Sequence, residues 1–322
     1  MAGKPVTVVG AYCVGLYFLG DRLPGPGETV IGNRFYEGPG GKGSNQAVAA
    51  LKLGAPTRFI ARLGRDGYGE KALAMYRGYG LKTDLIAMDE GSHTGIGAIL
   101  VDQSGRNLIS VVPGANGRLS PQDIDAAEGT IADSSIVGCQ LETPLEIADY
   151  TLRKAHRLGV TTLLDPAPAV KLPEDLYPCL DFIKPNETEA GILSGIPVDG
   201  VASATEAGRW FVARGVKNAI VTLGDKGAVL VTRDRVEHFP AVPVEPFDTT
   251  GAGDVFSGAL MAAWHEGRSI DECIRFATCA AALSVTRLGV IESIPDREEV
   301  LALMRRTAET LRTTEGTADK RR

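Results

Sequence analysis

Short apolar runs recur along the chain, beginning with Val6-Thr7-Val8-Val9, which stops at Gly10. Runs of this length, rich in β-branched residues and closed by glycine, proline or aspartate, predict buried strands. Further ones lie at 59–61, 136–138, 161–165, 182–183 and 219–222. Segments of helical period fill the gaps, at 47–54, 68–79, 144–158, 251–265, 269–284 and 296–311. Ser120-Pro121-x-Asp123 predicts a capped helix start with proline at its first position. Ser203-x-x-Glu206 reads as a capping box for a helix ending at Arg214. Repeated strand–helix alternation predicts an α/β fold with a mostly parallel central sheet and helices on both faces.

Four pieces do not fit that alternation. Residues 12–18 and 28–36 read as extended segments around a turn-rich stretch of glycine and proline. Residues 95–102 and 108–112 alternate apolar and polar on either side of Gln103-Ser104-Gly105-Arg106, which predicts a hairpin. Together they predict a small second sheet that covers the first. Residues 228–232 and 236–239 predict antiparallel edge strands.

In a parallel sheet, ligands bind beyond the carboxyl ends of the strands. Glu142, Asn186, Glu189, Thr222, Gly224 and Asp254 all fall just after predicted strands or at helix starts. The densest chemistry is in Asp248-Thr249-Thr250-Gly251-Ala252-Gly253-Asp254, which runs into an apolar helix. Small residues let backbone N–H groups approach an anion, and a helix N-terminus adds unpaired donors and a positive dipole end. Asp254, in the first turn, is placed to accept a proton from an attacking hydroxyl. An acidic first turn alone is common; its company gives it weight. Lys42 and Asn45 lie near a second helix start, within Gly40-Gly41-Lys42-Gly43-Ser44-Asn45-Gln46.

Two motif readings fail. Gly251-x-Gly253 lacks the third glycine of a dinucleotide loop, and Gly43 separates Lys42 from Ser44 where a P-loop needs them adjacent. Composition removes further classes. Lys plus Arg 34 against Asp plus Glu 40 gives a net charge of −6, which disfavours a general nucleic-acid binder. The sequence has no apolar run long enough to span a bilayer and no signal peptide is recognised, so no membrane partner is expected. Five scattered cysteines without a C-x-x-C pair suggest free thiols in a reducing cytoplasm and no zinc site. Glycine is enriched, at 39 of 322 residues, where ~7% is usual.

These residues resemble the PfkB (ribokinase-like) carbohydrate kinases over nearly the whole chain, to about Arg312. Four pieces carry the resemblance in order: the segment 40–47, Pro185-Asn186-Glu187-Thr188-Glu189, Val221-Thr222-Leu223-Gly224 and the segment 248–254. It implies a single kinase domain over 1–312, with a lid from about 11–38 and 93–113 that also pairs two subunits in a homodimer, followed by a disordered tail, 313–322. It implies an ATP-dependent kinase of a small sugar. Asp254 corresponds to the catalytic base and Gly251, Ala252 and Gly253 to the anion hole. Gly41, Lys42, Asn45 and Glu142 correspond to sugar contacts. Asn186, Thr222 and Gly224 correspond to nucleotide contacts, with adenine near Thr278. Asn186 and Glu189 would organise Mg²⁺ through water or phosphate. Asp248 and Thr250, with Ser293, would bind an activating K⁺.

One departure matters. The family's ribokinases carry an Asn and an Asp that grip ribose hydroxyls, and the corresponding positions are Cys13 and Gly15. The phosphate side is intact while the sugar side has lost polar partners, so ribose is expected to be a poor substrate. A nucleoside kinase, with a base in the space left by Gly15, is the alternative within the enzyme class. A non-catalytic sugar sensor is the alternative outside it, but a sensor has no need of Asp254.

Overall fold

The structure is a computed structural model, and it describes residues 3–307. The strands are β1 (Val6–Val9), β2 (Cys13–Gly20), β3 (Arg34–Gly40), β4 (Thr57–Gly64), β5 (Ile86–Asp89), β6 (Gly95–Asp102) and β7 (Asn107–Val112). They continue as β8 (Ile136–Cys139), β9 (Thr161–Leu164), β10 (Phe182–Ile183), β11 (Asn218–Thr222), β12 (Ala228–Val231) and β13 (Val236–Phe239). Helices α1 (Lys42–Lys52), α2 (Gly67–Tyr79), α3 (Pro121–Ala126), α4 (Glu128–Ala132) and α5 (Leu145–Arg157) precede α6 (Glu187–Ser194), α7 (Val201–Ala213), α8 (Ala252–His265) and α9 (Ile270–Ser284).

Nine strands form one sheet in the order β13-β12-β11-β10-β9-β8-β1-β4-β5. The seven strands β11, β10, β9, β8, β1, β4 and β5 run parallel, and β12 and β13 close one edge as antiparallel strands. The alternation of side chains explains why both faces are covered. Val8, Phe59, Ile136, Leu163, Phe182 and Ile220 point to one side and pack under α1, α8 and α9. Val9, Ile60, Val137, Leu164, Ile183 and Val221 point to the other and pack under α5 and α7. All twelve are at most 1% exposed, so each contributes roughly 1.5–3 kcal/mol of burial.

The second sheet has four strands, in the order β3-β2-β6-β7, with β2 and β6 parallel and the outer pairs antiparallel. The expected strand over 28–36 lies later, at Arg34–Gly40. Residues before it are held as a loop, with Arg22 in an ion pair with Glu28 and the Gly25 N–H donating to the same carboxylate. Two further boundaries move. α1 begins at Lys42 rather than near Ala47, because Gly41, at φ +91°, turns the chain directly into the helix. α7 begins at Val201, so Ser203 is its third residue and not its cap. The Ser203 hydroxyl accepts N–H bonds from Asp199 and Gly200 instead. β5 and α4 were not expected from the pattern. The final helix is described over 297–307, and the rest of its expected span and the tail lie outside the described residues. No described helix is long and apolar enough to cross a membrane.

Candidate active site

The site begins with how closely α1 and α8 approach. Gly258 of α8 lies where a Cβ would stand 2.5 Å from the Ala49 Cβ and 2.7 Å from the Gln46 carbonyl oxygen. Gly43 of α1 meets the backbone of Gly10 in the same way, at 2.6 Å. Only glycine allows these contacts, and they bring the first turns of both helices together at the carboxyl end of β1.

There Asp254 is 4% exposed. Its two oxygens are held by different residues of α1. Asn45 Nδ2 donates to Oδ2 at 2.8 Å, and Gln46 Nε2 donates to Oδ1 at 3.2 Å. Gln46 Nε2 also donates to Asp165 Oδ2 at 2.9 Å, and Gln140 Nε2 donates to Gln46 Oε1, which fixes the amide's orientation. Asp165 is buried at the end of β9. It pairs with Lys184 Nζ at 2.8 Å and accepts from the Ser257 hydroxyl at 3.0 Å. Lys184 Nζ in turn donates to the Gly253 carbonyl at 3.1 Å. One network therefore joins the carboxylate to the glycine loop. Gln46, Gln140, Asp165, Lys184 and Ser257 were not among the expected site residues. The available signal was that Asp165 ends one strand predicted to reach the binding edge and Lys184 follows the next.

The loop itself is set by Gly251, at φ +78°, which N-caps α8. The Ala252 N–H donates to Thr249 and the Asp254 N–H to Gly251. The N–H groups of Gly251 and Gly253 have no partner among the described residues. Asp248 Oδ1 accepts from the Thr250 N–H at 2.9 Å and Oδ2 from the Gly289 N–H at 3.3 Å. Ser293 is buried, and its hydroxyl donates to the Val290 carbonyl at 2.8 Å. Asp248 thus ties the loop to the turn that precedes Ser293.

Lys42 follows Gly41 and donates its backbone N–H to Glu142 Oε2 at 2.7 Å. Asp254 holds the Lys42 ammonium above its usual pKa, burial opposes this, and Asp165, Glu142 and Glu189 add to it. Burial raises the Glu142 carboxyl above its ordinary value, opposed by Lys42 and reinforced by Asp254 and Asp165. Burial raises Glu189 likewise, opposed by its bond from Asn186.

A cleft of about 600 Å³ extends from this polar end across α6 and α9. Asn186 caps α6: its Oδ1 accepts from the Glu189 N–H at 2.8 Å, while Glu189 Oε2 accepts from the Asn186 N–H at 2.9 Å. Asn186, Glu189, Thr222, Gly224 and Thr278 all line the cleft. Its far end is apolar, built by Val242, Pro243, Val244, Ala281 and Val285. The Thr278 hydroxyl donates to the Ile274 carbonyl. The expected residues of both ends are therefore brought to one edge, and the charged end meets an apolar slot.

A carboxylate with two fixed donors, at the N-terminus of a buried helix and beside a lysine, is the apparatus of a phosphotransferase acting on a hydroxyl group. The comparisons define the family. The pattern described as pfkB family carbohydrate kinase matches residues 4–297, so the chain belongs to that family. It is similar to a ribokinase of Haemophilus influenzae, 38% identical over 94% of this chain and 98% of the relative. It is also similar to a deoxyribokinase of Salmonella typhi, 36% identical over 91% and 96%. The structure of Arabidopsis thaliana ribokinase complexed with ribose and ATP matches with a TM-score of 0.87 at 35% identity, covering 94% of this chain and 99% of that one. The chain is an ATP-dependent sugar kinase with the ribokinase-like fold.

Proposed function

We propose that the chain transfers the γ-phosphoryl group of ATP to the primary hydroxyl of a small sugar other than ribose, with Asp254 as the base. The placement of Asp254 carries this reading, buried and held by Asn45 and Gln46 where α8 begins. The acceptor hydroxyl gives its proton to the Asp254 carboxylate. Its oxygen bonds to the γ-phosphorus as the bond from that phosphorus to the β,γ-bridging oxygen breaks, which releases ADP. The backbone of Gly251, Ala252 and Gly253 receives the developing charge, and the Lys42 ammonium balances it. Gly41, Lys42, Asn45 and Glu142 hold the sugar. Asn186, Thr222 and Gly224 hold the nucleotide, with the base between Thr278 and the apolar slot.

Magnesium fits the donor set. Glu189 Oε1 is left over by the capping bonds, and the buried Asp165 Oδ1 has no hydrogen-bond partner. Asn186 and Glu189 would hold the ion through water and phosphate oxygens, where it would neutralise the triphosphate. Asp248, Thr250 and Ser293 would hold K⁺ where Asp248 joins the loop to the 289 turn.

The small sheet would act as the lid. Strand register divides it into two faces, one carrying Cys13, Gly15 and Tyr17, the other Phe18, Phe35, Leu108 and Val112. The second set is about half exposed, at 44–53%. An apolar face of that kind supports a homodimer formed through the lid. The free cysteines support a cytoplasmic setting.

ATP-dependent phosphorylation over a panel of pentoses, deoxypentoses, tetroses, hexoses and nucleosides tests the proposal. Turnover of at least one small sugar, with ribose and nucleosides poor, is expected. Ribose as the best acceptor, with a submillimolar KM, would overturn the substrate reading, and no turnover of any sugar would overturn the whole.

A further inference from the structure

The face of the small sheet that carries Cys13 has an unusual floor. Register aligns Gly40, Cys13 and Gly95 in one row, Gly38, Gly15 and Gly97 in the next, and Tyr36, Tyr17 and Ile99 in a third. This face looks onto the site. Cys13 pairs with Gly40, two residues before Lys42, whose N–H donates to Glu142, and Tyr17 lies within electrostatic reach of Asp248 and Glu292.

The middle row has no side chain at its three glycines, meeting one only at Val111 on the outer strand, but the space above the glycines is not vacant. Tyr17 Cε2 lies 2.7 Å from where a Cβ on Gly15 would stand and 3.6 Å from that of Gly38. Ile99 Cδ1 lies 3.3 Å and 3.5 Å from those of Gly15 and Gly97. The ring is not free to swing aside. It stacks on Tyr36 with centroids 4.4 Å apart and planes 7° from parallel, and the Arg34 guanidinium sits 5.8 Å from the Tyr36 ring centre. The row nearest Glu142 offers one polar atom, the Cys13 sulfur, which already accepts from Asn116 Nδ2 at 3.5 Å.

Resting on the kinase reading above, we infer that Tyr17 is the specificity-determining side chain, and that it selects a deoxypentose, an acceptor of pentose size whose lid-facing carbon carries no hydroxyl. A hydroxyl on that face would lose water and meet a ring edge, a methyl group and an occupied sulfur. Each such orphan disfavours binding by about tenfold to a hundredfold. The Tyr17–Tyr36 stack also stands across the end of the glycine floor. It takes the space a nucleoside base would need, which argues against the nucleoside alternative. Tyr17 further explains why restoring an acid at position 15 would not by itself restore a grip on ribose: the ring stands where that side chain would begin.

The test is kcat/KM with saturating ATP for ribose and 2-deoxyribose, using the full chain as wild type, Gly15→Asp, Tyr17→Ala and Gly15→Asp/Tyr17→Ala. The wild type should favour 2-deoxyribose by about tenfold or more. Gly15→Asp alone should gain nothing on ribose, Tyr17→Ala should narrow the preference, and the double variant should gain about tenfold or more on ribose. A wild type that favours ribose, or a Gly15→Asp variant with the full gain by itself, overturns the role of Tyr17. A wild type inactive on every sugar overturns the kinase reading and this inference with it. Should the double variant not fold, as judged by thermal melting, Tyr17→Leu decides: a narrowed preference supports the role, and an unchanged one overturns it.

Discussion

The two sheets treat their neighbours in opposite ways. The large sheet is buried on both faces, and its helices approach so closely that Gly258 and Gly43 are required where α1 meets α8 and β1. The small sheet keeps one apolar face half exposed, and its site-facing side chains pack mainly on one another, Tyr17 on Tyr36 and Ile99 over the glycines. Asp254 therefore sits where packing leaves it one position. Cys13, Gly15 and Tyr17 sit in a thinner layer, where what they meet is chiefly one another, Ile99, Tyr36 and Asn116. On the proposed function, the reaction is anchored in the rigid part, while the choice of acceptor is written in the small sheet.

Breaking the rigid side at its centre should have the largest effect. Asp254→Asn preserves the side chain's size and the bond from Asn45 but removes the base. kcat is expected to fall by about 10²–10⁴, with far smaller changes in the KM of either substrate. Steady-state kinetics checks this, and near-normal turnover would remove Asp254 from the base role. Next comes the ion pair beneath it. Lys184 and Asp165 side chains are 4% and 1% exposed, so Lys184→Met leaves a buried carboxylate without its cation, at a cost of about 3–5 kcal/mol. That corresponds to a fall in Tm of roughly 4–7 °C for a chain of this size. Adding Asp165→Asn should recover part of it. A single variant as stable as the wild type would show that Gln46 and Ser257 suffice.

These two residues also mark what the sequence could and could not disclose. The glycine loop, the cap at Asn186 and the position of Asp254 depend on neighbours within a few residues, so their chemistry is legible along the chain. Asp165 and Lys184 are brought together only because β9 and β10 lie side by side, and no local pattern states that pairing. Gln46 and Gln140 meet for the same reason, across 94 positions. The small sheet was harder still. Reading its second strand at 28–36 instead of Arg34–Gly40 assigns Tyr17 the wrong partner, since a shift in register moves every side chain along or across the sheet. The loss of polar residues at positions 13 and 15 was visible. What had filled the space was not.

A cation experiment probes the seam between the two parts. Asp248 joins the glycine loop before α8 to the 289 turn, and its charge lies within electrostatic reach of Tyr17 and Tyr36 of the small sheet. Activity should be several-fold higher in K⁺ than in Na⁺ or a large organic cation at matched ionic strength, and Asp248→Asn should flatten that difference. Equal rates in all three salts would leave Asp248 with its turn-stabilising bonds alone.

The smallest effect is expected at Glu142, the rigid side's proposed contact with the sugar. Burial holds its carboxyl above the ordinary pKa, against the pull of Lys42. The folded chain therefore binds this proton more tightly than the unfolded one. The group's contribution to stability is greatest below the ordinary carboxylate value of about 4.3 and is lost as pH rises through the raised folded value. At neutral pH the buried charge is a burden. Glu142→Gln removes the charge yet leaves an oxygen to accept the Lys42 N–H, so at pH 7 the variant should melt a few degrees above the wild type. The gap should close as pH falls toward 4, because the wild-type carboxyl is then protonated. Glu189 titrates in the same direction but is common to both proteins, so it cancels in the difference. Calorimetric melts of the pair from pH 4 to 8 measure it, and the KM for the sugar should rise in the variant. A variant no more stable at pH 7, or a gap that stays constant with pH, would mean that Lys42 compensates Glu142 in full, and the sugar end would then belong energetically with the rigid side.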